Sequence, residues 1–122
     1  MKPKTGVELI AVERKRQMDD EGWTAKHDDE HDDHSLALAA AAYAAPEVLY
    51  SRGDYAESVS FYEAWPRSWA TGWDKRPRFR DTHKLMDAGA QGKSVRIRAL
   101  VKAGALIAAE IDRLQRMKKR TE

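Results

Sequence analysis

Three observations predict an all-α fold, a small helical domain of three to four main helices with a loop-rich middle. Thr5-Gly6-Val7-Glu8 has the spacing of a capping box, in which the Thr and Glu side chains satisfy free amides at a helix start. An alanine-rich run from Leu36 to Ala45 is halted by Pro46, and alanine is the strongest helix former. Near the other end, Ile97, Leu100, Gly104, Ile107, Ile111 and Leu114 recur at alternating steps of three and four. That spacing draws an apolar stripe along one side of a helix.

The first helix is predicted over 6–21. Val7, Ile10, Ala11 and Met18 lie at helical spacing, and Gly22 stands where a terminating glycine belongs. Its other face, Glu13, Arg14, Lys15, Arg16, Asp19 and Asp20, is expected in solvent. Residues 22–34 are too polar for a core element. Asp33 or Ser35 can cap a second helix that runs to Ala45.

The segment 46–93 carries the weakest pattern and has the character of a variable insertion. Pro46 to Tyr50 suits a helical turn, 51–54 a turn, and Tyr55 to Tyr62 a short helix or irregular chain. Pro66, Gly72, Pro77, Gly89 and Gly92 break the remainder into loops, with room for a short helix over 82–88. Irregular stretches of this length in a compact domain are often functional. Ser94 is placed to cap the last helix, over 95–118. Gly104, Ala105 and Ala108 offer it a close-approach surface, matched by the alanines of the second helix. Arg113, Arg116, Lys118, Lys119 and Arg120 suit the negative end of its dipole.

The 122 residues fit one domain, 1–122, with a modest core. Charged residues make up 34% of the chain and aromatics only 8%, so that core must lean on alanine and leucine. A net charge of +2 gives no strong nucleic-acid signal. Acids gather in 19–33 and bases in 75–84, 93–102 and 113–120, so opposite charges can meet across the fold, or a phosphate-bearing ligand can meet the basic half. The absence of cysteine excludes disulfides, zinc thiolates and cysteine nucleophiles. No apolar run reaches the ~18 residues of a membrane span, and no signal-peptide core follows Met1. A cytoplasmic protein of a bacterial host cell, without membrane contact, is expected.

The richest stretch is 21–34, with three of the four histidines and six acids in fourteen positions. Were 27–34 helical, His27, His31 and His34 would share a face and, with Glu110, could hold a divalent metal. In a loop, Trp23, His27, Asp28, Asp29 and His31 would face a ligand or tie down backbone amides. Trp65, Trp69 and Trp73 recur every four residues and can stack on a base, cover a basic side chain, or fill the core, with Lys75 among the cations that could neutralise a phosphate. Arg96 projects within ~20° of the apolar stripe. It therefore needs a partner, either an acid from 28–33 or a phosphate. Arg98 and Lys102 share another side of the helix, and a helix N-terminus itself favours an anion. No phosphate-loop, zinc-protease or nucleophile-elbow signature is present.

Taken in order, these residues resemble a group of small proteins carried by phages and prophages. The resemblance rests on Glu13-Arg14, Glu21-Gly22-Trp23-Thr24, His27-Asp28-Asp29, His31, Trp65-Pro66, Trp69 and Trp73. Leu100 to Ile107 and Ala109-Glu110-Ile111 with Arg113-Leu114 complete it. Gly22-Trp23-Thr24 with Asp28-Asp29 is also similar to the ryanodine-receptor repeat, a helical module with nucleotide-binding members. A third resemblance is to MazG-type nucleotide pyrophosphohydrolases, through Glu30-His31-Asp32-Asp33 and later Glu110 and Asp112. The Glu-Glu-x-x-Glu helix of that family is missing.

The residues and the first two resemblances lead to the expectation of a phage-type protein that binds a nucleotide or another phosphate-bearing small molecule, a host defence signal among the candidates, and the lack of a recognisable catalytic set favours binding over turnover. A metal-dependent nucleotide hydrolase and a protein-binding inhibitor of a host defence system are the alternatives. The stripe on the last helix also suits a homodimer.

Overall fold

The computed structural model describes residues 2–55 and 58–117. The basic residues Lys118, Lys119 and Arg120 lie outside the described residues. The fold is mostly helical, but a β-hairpin corrects the all-α expectation. In order the elements are α1 (Gly6–Asp20), α2 (Ala25–Asp29), α3 (Ser35–Ala44), β1 (Tyr50–Tyr55), β2 (Ser58–Glu63) and α4 (Lys93–Arg116).

α4 is the spine on which α1, α2 and α3 pack. The capping box forms as its spacing dictates: the Glu8 amide donates to Thr5 Oγ1 at 3.2 Å and the Thr5 amide to Glu8 Oε1 at 3.0 Å. Gly22 ends α1 with a φ of 70°, the left-handed region that only glycine enters without strain. At the start of α3, Asp33 Oδ1 accepts the Ser35 amide while His34 takes a φ of 64°. α1 runs antiparallel to α4, with Ile10 over Gly104 and Glu13 beside Arg98. α3 is antiparallel to it too: Arg96 meets the last carbonyls of α3, and His34, just before it, faces Glu110.

Helix faces are where sequence and structure part. The core is Leu36, Ala39, Ala40 and Tyr43 of α3 against Ala99, Ala103, Leu106 and Ala109 of α4, with Trp23 and Trp69. The predicted stripe lies outside, for Ile97, Leu100, Ile107, Ile111 and Leu114 are 42–49% exposed. Alanine faces let two backbones approach closely, so the α3–α4 contact forms on the small residues. α1 is turned likewise. Glu13 and Gln17 are buried whereas Val7 and Met18 are exposed. Burying Glu13 is tolerable because Arg16 and Arg98 neutralise it.

The middle segment also departs from expectation. Tyr50 to Tyr55 and Ser58 to Glu63 pair antiparallel in register, Arg52 opposite Phe61. The Val, Phe and Tyr content of that stretch suits a pleated ribbon better than a short helix. No helix forms over 82–88. Instead Arg78 bridges Leu85, and the Phe79 amide donates to the Lys84 carbonyl at 2.8 Å. Ser94 does not cap α4 from outside; Gly92 is the boundary and makes no side-chain cap bond. Trp73 closes a one-turn 3-10 helix, Thr71–Trp73.

Candidate functional site

The left-handed turn at Gly22 delivers Trp23 into the core, and Thr24 then caps α2 by accepting the His27 amide. That short helix buries Asp28 completely, where it pairs with Arg14 of α1. Asp28 is thus a structural counterion rather than a ligand group. Its neighbour Asp29 takes Arg116 at 2.7 Å on the surface. Both acids are spent within the protein.

His27 stacks on Trp23 at 5.5 Å, and His31 sits edge-on to it at 4.7 Å. Their Nε2 atoms are 3.4 Å apart, so one ring can donate to the other. Burial first, then the neighbouring His27, pushes the His31 pKa below its ordinary value. His34 lies elsewhere, facing Glu110 Oε2 at 3.7 Å. The three imidazoles therefore do not share a face, because the chain from 30 to 34 leaves the helix. No three His, Asp or Glu side chains converge as metal ligands among the described residues.

The tryptophans form one aromatic cluster. Trp69 packs edge-on against Trp65 at 5.6 Å, Trp73 at 5.4 Å and Trp23 at 5.8 Å. Arg76 lies 4.5 Å over Trp65 and is clamped by Asp74 and Glu63. Trp69 is buried. The cluster supplies bulk that the alanine helices lack.

Beside it, α3, the loop at 75–77 and α4 border an open cleft of about 360 Å³ lined by Tyr43, Lys75, Pro77, Ser94, Arg98 and Lys102. Trp23 and Trp73 line an adjoining recess that shares Tyr43, Lys75 and Lys102 with it. Tyr43 anchors the wall, its hydroxyl accepting the Lys75 amide at 2.9 Å; burial chiefly raises its pKa to about 12. Lys102 leans toward the Tyr43 ring at 5.7 Å. Burial, then the nearby Arg98, lowers the Lys102 pKa, and Lys102 makes no ion pair among the described residues. Arg98 reaches Glu13 at 2.7 Å while remaining half-exposed.

Arg96 is not part of this cleft. Its guanidinium donates to the carbonyls of Tyr43, Ala44 and Ala45, capping α3. The partner expected as an acid or a phosphate is backbone, which a fork of N–H groups serves equally well. Of the predicted ligand residues, Lys75, Arg98 and Lys102 come together, with Trp23 and Trp73 adjoining; Trp65 and Trp69 line a different cleft. Sequence reasoning passed over Tyr43, although it is the one large side chain in the Ala39 to Ala45 run.

Among the described residues no helix is long and apolar enough to cross a membrane. Comparison with family models, with curated proteins and with solved structures finds no match for this chain.

Proposed function

We propose that the chain is a binding protein for a nucleotide or other phosphate-bearing small molecule, held in the cleft between Tyr43, Pro77 and α4. The observation that carries this reading is the meeting of Lys75, Arg98 and Lys102 on one cleft, with Lys102 half-buried and lacking an acid partner among the described residues. An anion there would offset the desolvation of Lys102. Tyr43 and Pro77 offer an apolar wall to the rest of the ligand, with Trp73 in the adjoining recess. The finer form of the proposal, a phage-type protein sequestering a host defence signal, is supported by the motif resemblance alone. The candidate metal ligands of a hydrolase, His27, His31, His34 and Glu110, fall into two separate pairs, which favours binding over metal-dependent turnover.

The test is native mass spectrometry of the freshly purified protein, followed by calorimetric titration with nucleoside mono-, di- and triphosphates. A retained or titrated phosphate ligand is expected, with Lys102→Met weakening it about tenfold or more, a loss of roughly 1.4 kcal/mol. Unchanged affinity in Lys102→Met, or no phosphate compound bound at millimolar concentration, would overturn the assignment.

A further inference from the structure

α4 carries more apolar side chain than its own chain covers. Ile97, Leu100, Ile107, Ile111 and Leu114 stand 42–49% exposed in a row, while a neighbouring face of α4 is already filled by α3. We infer that this stripe is the interface of a homodimer, α4 against α4 of a second copy.

Five observations select a second copy as the occupant. The three-four spacing is a coiled-coil seam, so the covering element is a helix that follows it from Ile97 to Leu114. α2 and α3 are seated on other faces of α4, and α1 lies along one edge of the stripe, with Ile10 over Gly104. A second α4 supplies an apolar stripe of matching length and period, which is the self-complementarity a two-fold interface requires.

Charge agrees. Four arginines of α4 are satisfied inside the protein: Arg96 by α3 carbonyls, Arg98 by Glu13, Arg113 by Glu110 and Arg116 by Asp29. Bringing two such helices together therefore confronts no unpaired arginines.

Area agrees as well. The five side chains leave on the order of 450 Å² open, within the ~300–600 Å² that a monomer's largest apolar patch spans. A stable interface takes about 800 Å² per partner, of which roughly 56–65% is apolar, so the stripe supplies most of the apolar part. α1 supplies the flank, for Ile10 covers Gly104 within the stripe, and Val7, one turn earlier on α1, is 79% exposed.

Sedimentation velocity at micromolar concentration tests the inference. The wild type is expected at twice the 13.9 kDa chain mass. Ile107→Glu combined with Ile111→Glu should raise the dimer dissociation constant by about 100-fold or more, as central hot-spot residues do. Val59→Glu, on the hairpin, should leave the dimer intact. Far-UV circular dichroism checks that the double variant keeps its helices. If it does not, cysteine scanning decides, since the chain has no cysteine of its own. Ile107→Cys should then be joined into dimers by a short bismaleimide, and Val59→Cys should not. A wild type that sediments as a monomer, a folded double variant that stays dimeric, or equal cross-linking at both cysteines would overturn the proposal. Phosphate binding is read separately, so either reading can fail without the other.

Discussion

The two faces of α4 invert the usual amphipathic order. Toward α3 it presents Ala99, Ala103 and Ala109 with one leucine, Leu106, and nearby the paired Glu110 and Arg113. Toward solvent it presents three isoleucines and two leucines. The difference shows that the inner face is chosen by how closely backbones can approach. Small residues bring α3 and α4 together, and the remaining volume is filled by tryptophans and by charges that neutralise one another. Each alanine contributes little burial energy, whereas a buried leucine contributes about 1.5–3 kcal/mol. Stability of the inner side therefore depends heavily on its few large groups and on none of its charges being left alone.

The sharpest way to break this comparison is to orphan a buried charge. Asp28→Ala leaves Arg14 buried without its carboxylate, and two nitrogens of that guanidinium already lack a partner. A loss of about 3–5 kcal/mol is expected in urea unfolding, against roughly 0–1 kcal/mol for Asp29→Ala at the exposed Arg116 pair. Equal losses would show that the inner pair is no more critical than a surface one.

Truncating one large side chain on each face comes next. Leu106→Ala should cost about 2–5 kcal/mol at every protein concentration, because the cavity it leaves lies inside the subunit. Ile111→Ala should cost less, and its loss in melting temperature relative to wild type should vary with protein concentration, because it weakens the association of two copies. Concentration dependence confined to Leu106→Ala would place the interface on the wrong face.

Much of the frame was legible in the residues. The capping box at Thr5, the terminating Gly22, the α3 boundary before Pro46 and the extent of α4 all follow from local chemistry that tertiary contacts did not override. The facing of the helices was not legible. Periodicity registers Ile and Leu, and it cannot tell a seam between subunits from one within a chain. The burial of Glu13 depended on Arg98, which lies 85 positions away and therefore left no local mark. The hairpin was hidden because Arg52-Gly53-Asp54 reads as a turn although it forms part of a strand. At the site, Arg98 and Lys102 were foreseen on one side of the last helix, but Lys75 was not foreseen beside them, since it arrives from a loop. Arg96 was foreseen as needing a partner, and only the fold could reveal that the partner is backbone.

The smallest expected effect concerns a group at the start of α3, outside the core. Hydrogen bonds from Ser35 and Ser68 hold the Asp33 carboxyl down at about 2, against an ordinary 3.8. A folded-state pKa below the unfolded one means that ionised Asp33 adds stability above about pH 4, and that this contribution fades as the pH falls toward 2. Glu13 and Asp74 are also held low, in each case because arginine partners outweigh the upward push of burial. The acid limb of wild-type stability therefore contains all three. Asp33→Asn keeps an acceptor for the Ser35 amide but cannot titrate, so the difference between its melting curve and that of the wild type isolates one carboxylate. The gap should be widest near neutral pH and should close between about pH 4 and pH 2. A gap that stays constant through this range would mean that Asp33 orders the α3 start by shape, with its charge contributing nothing.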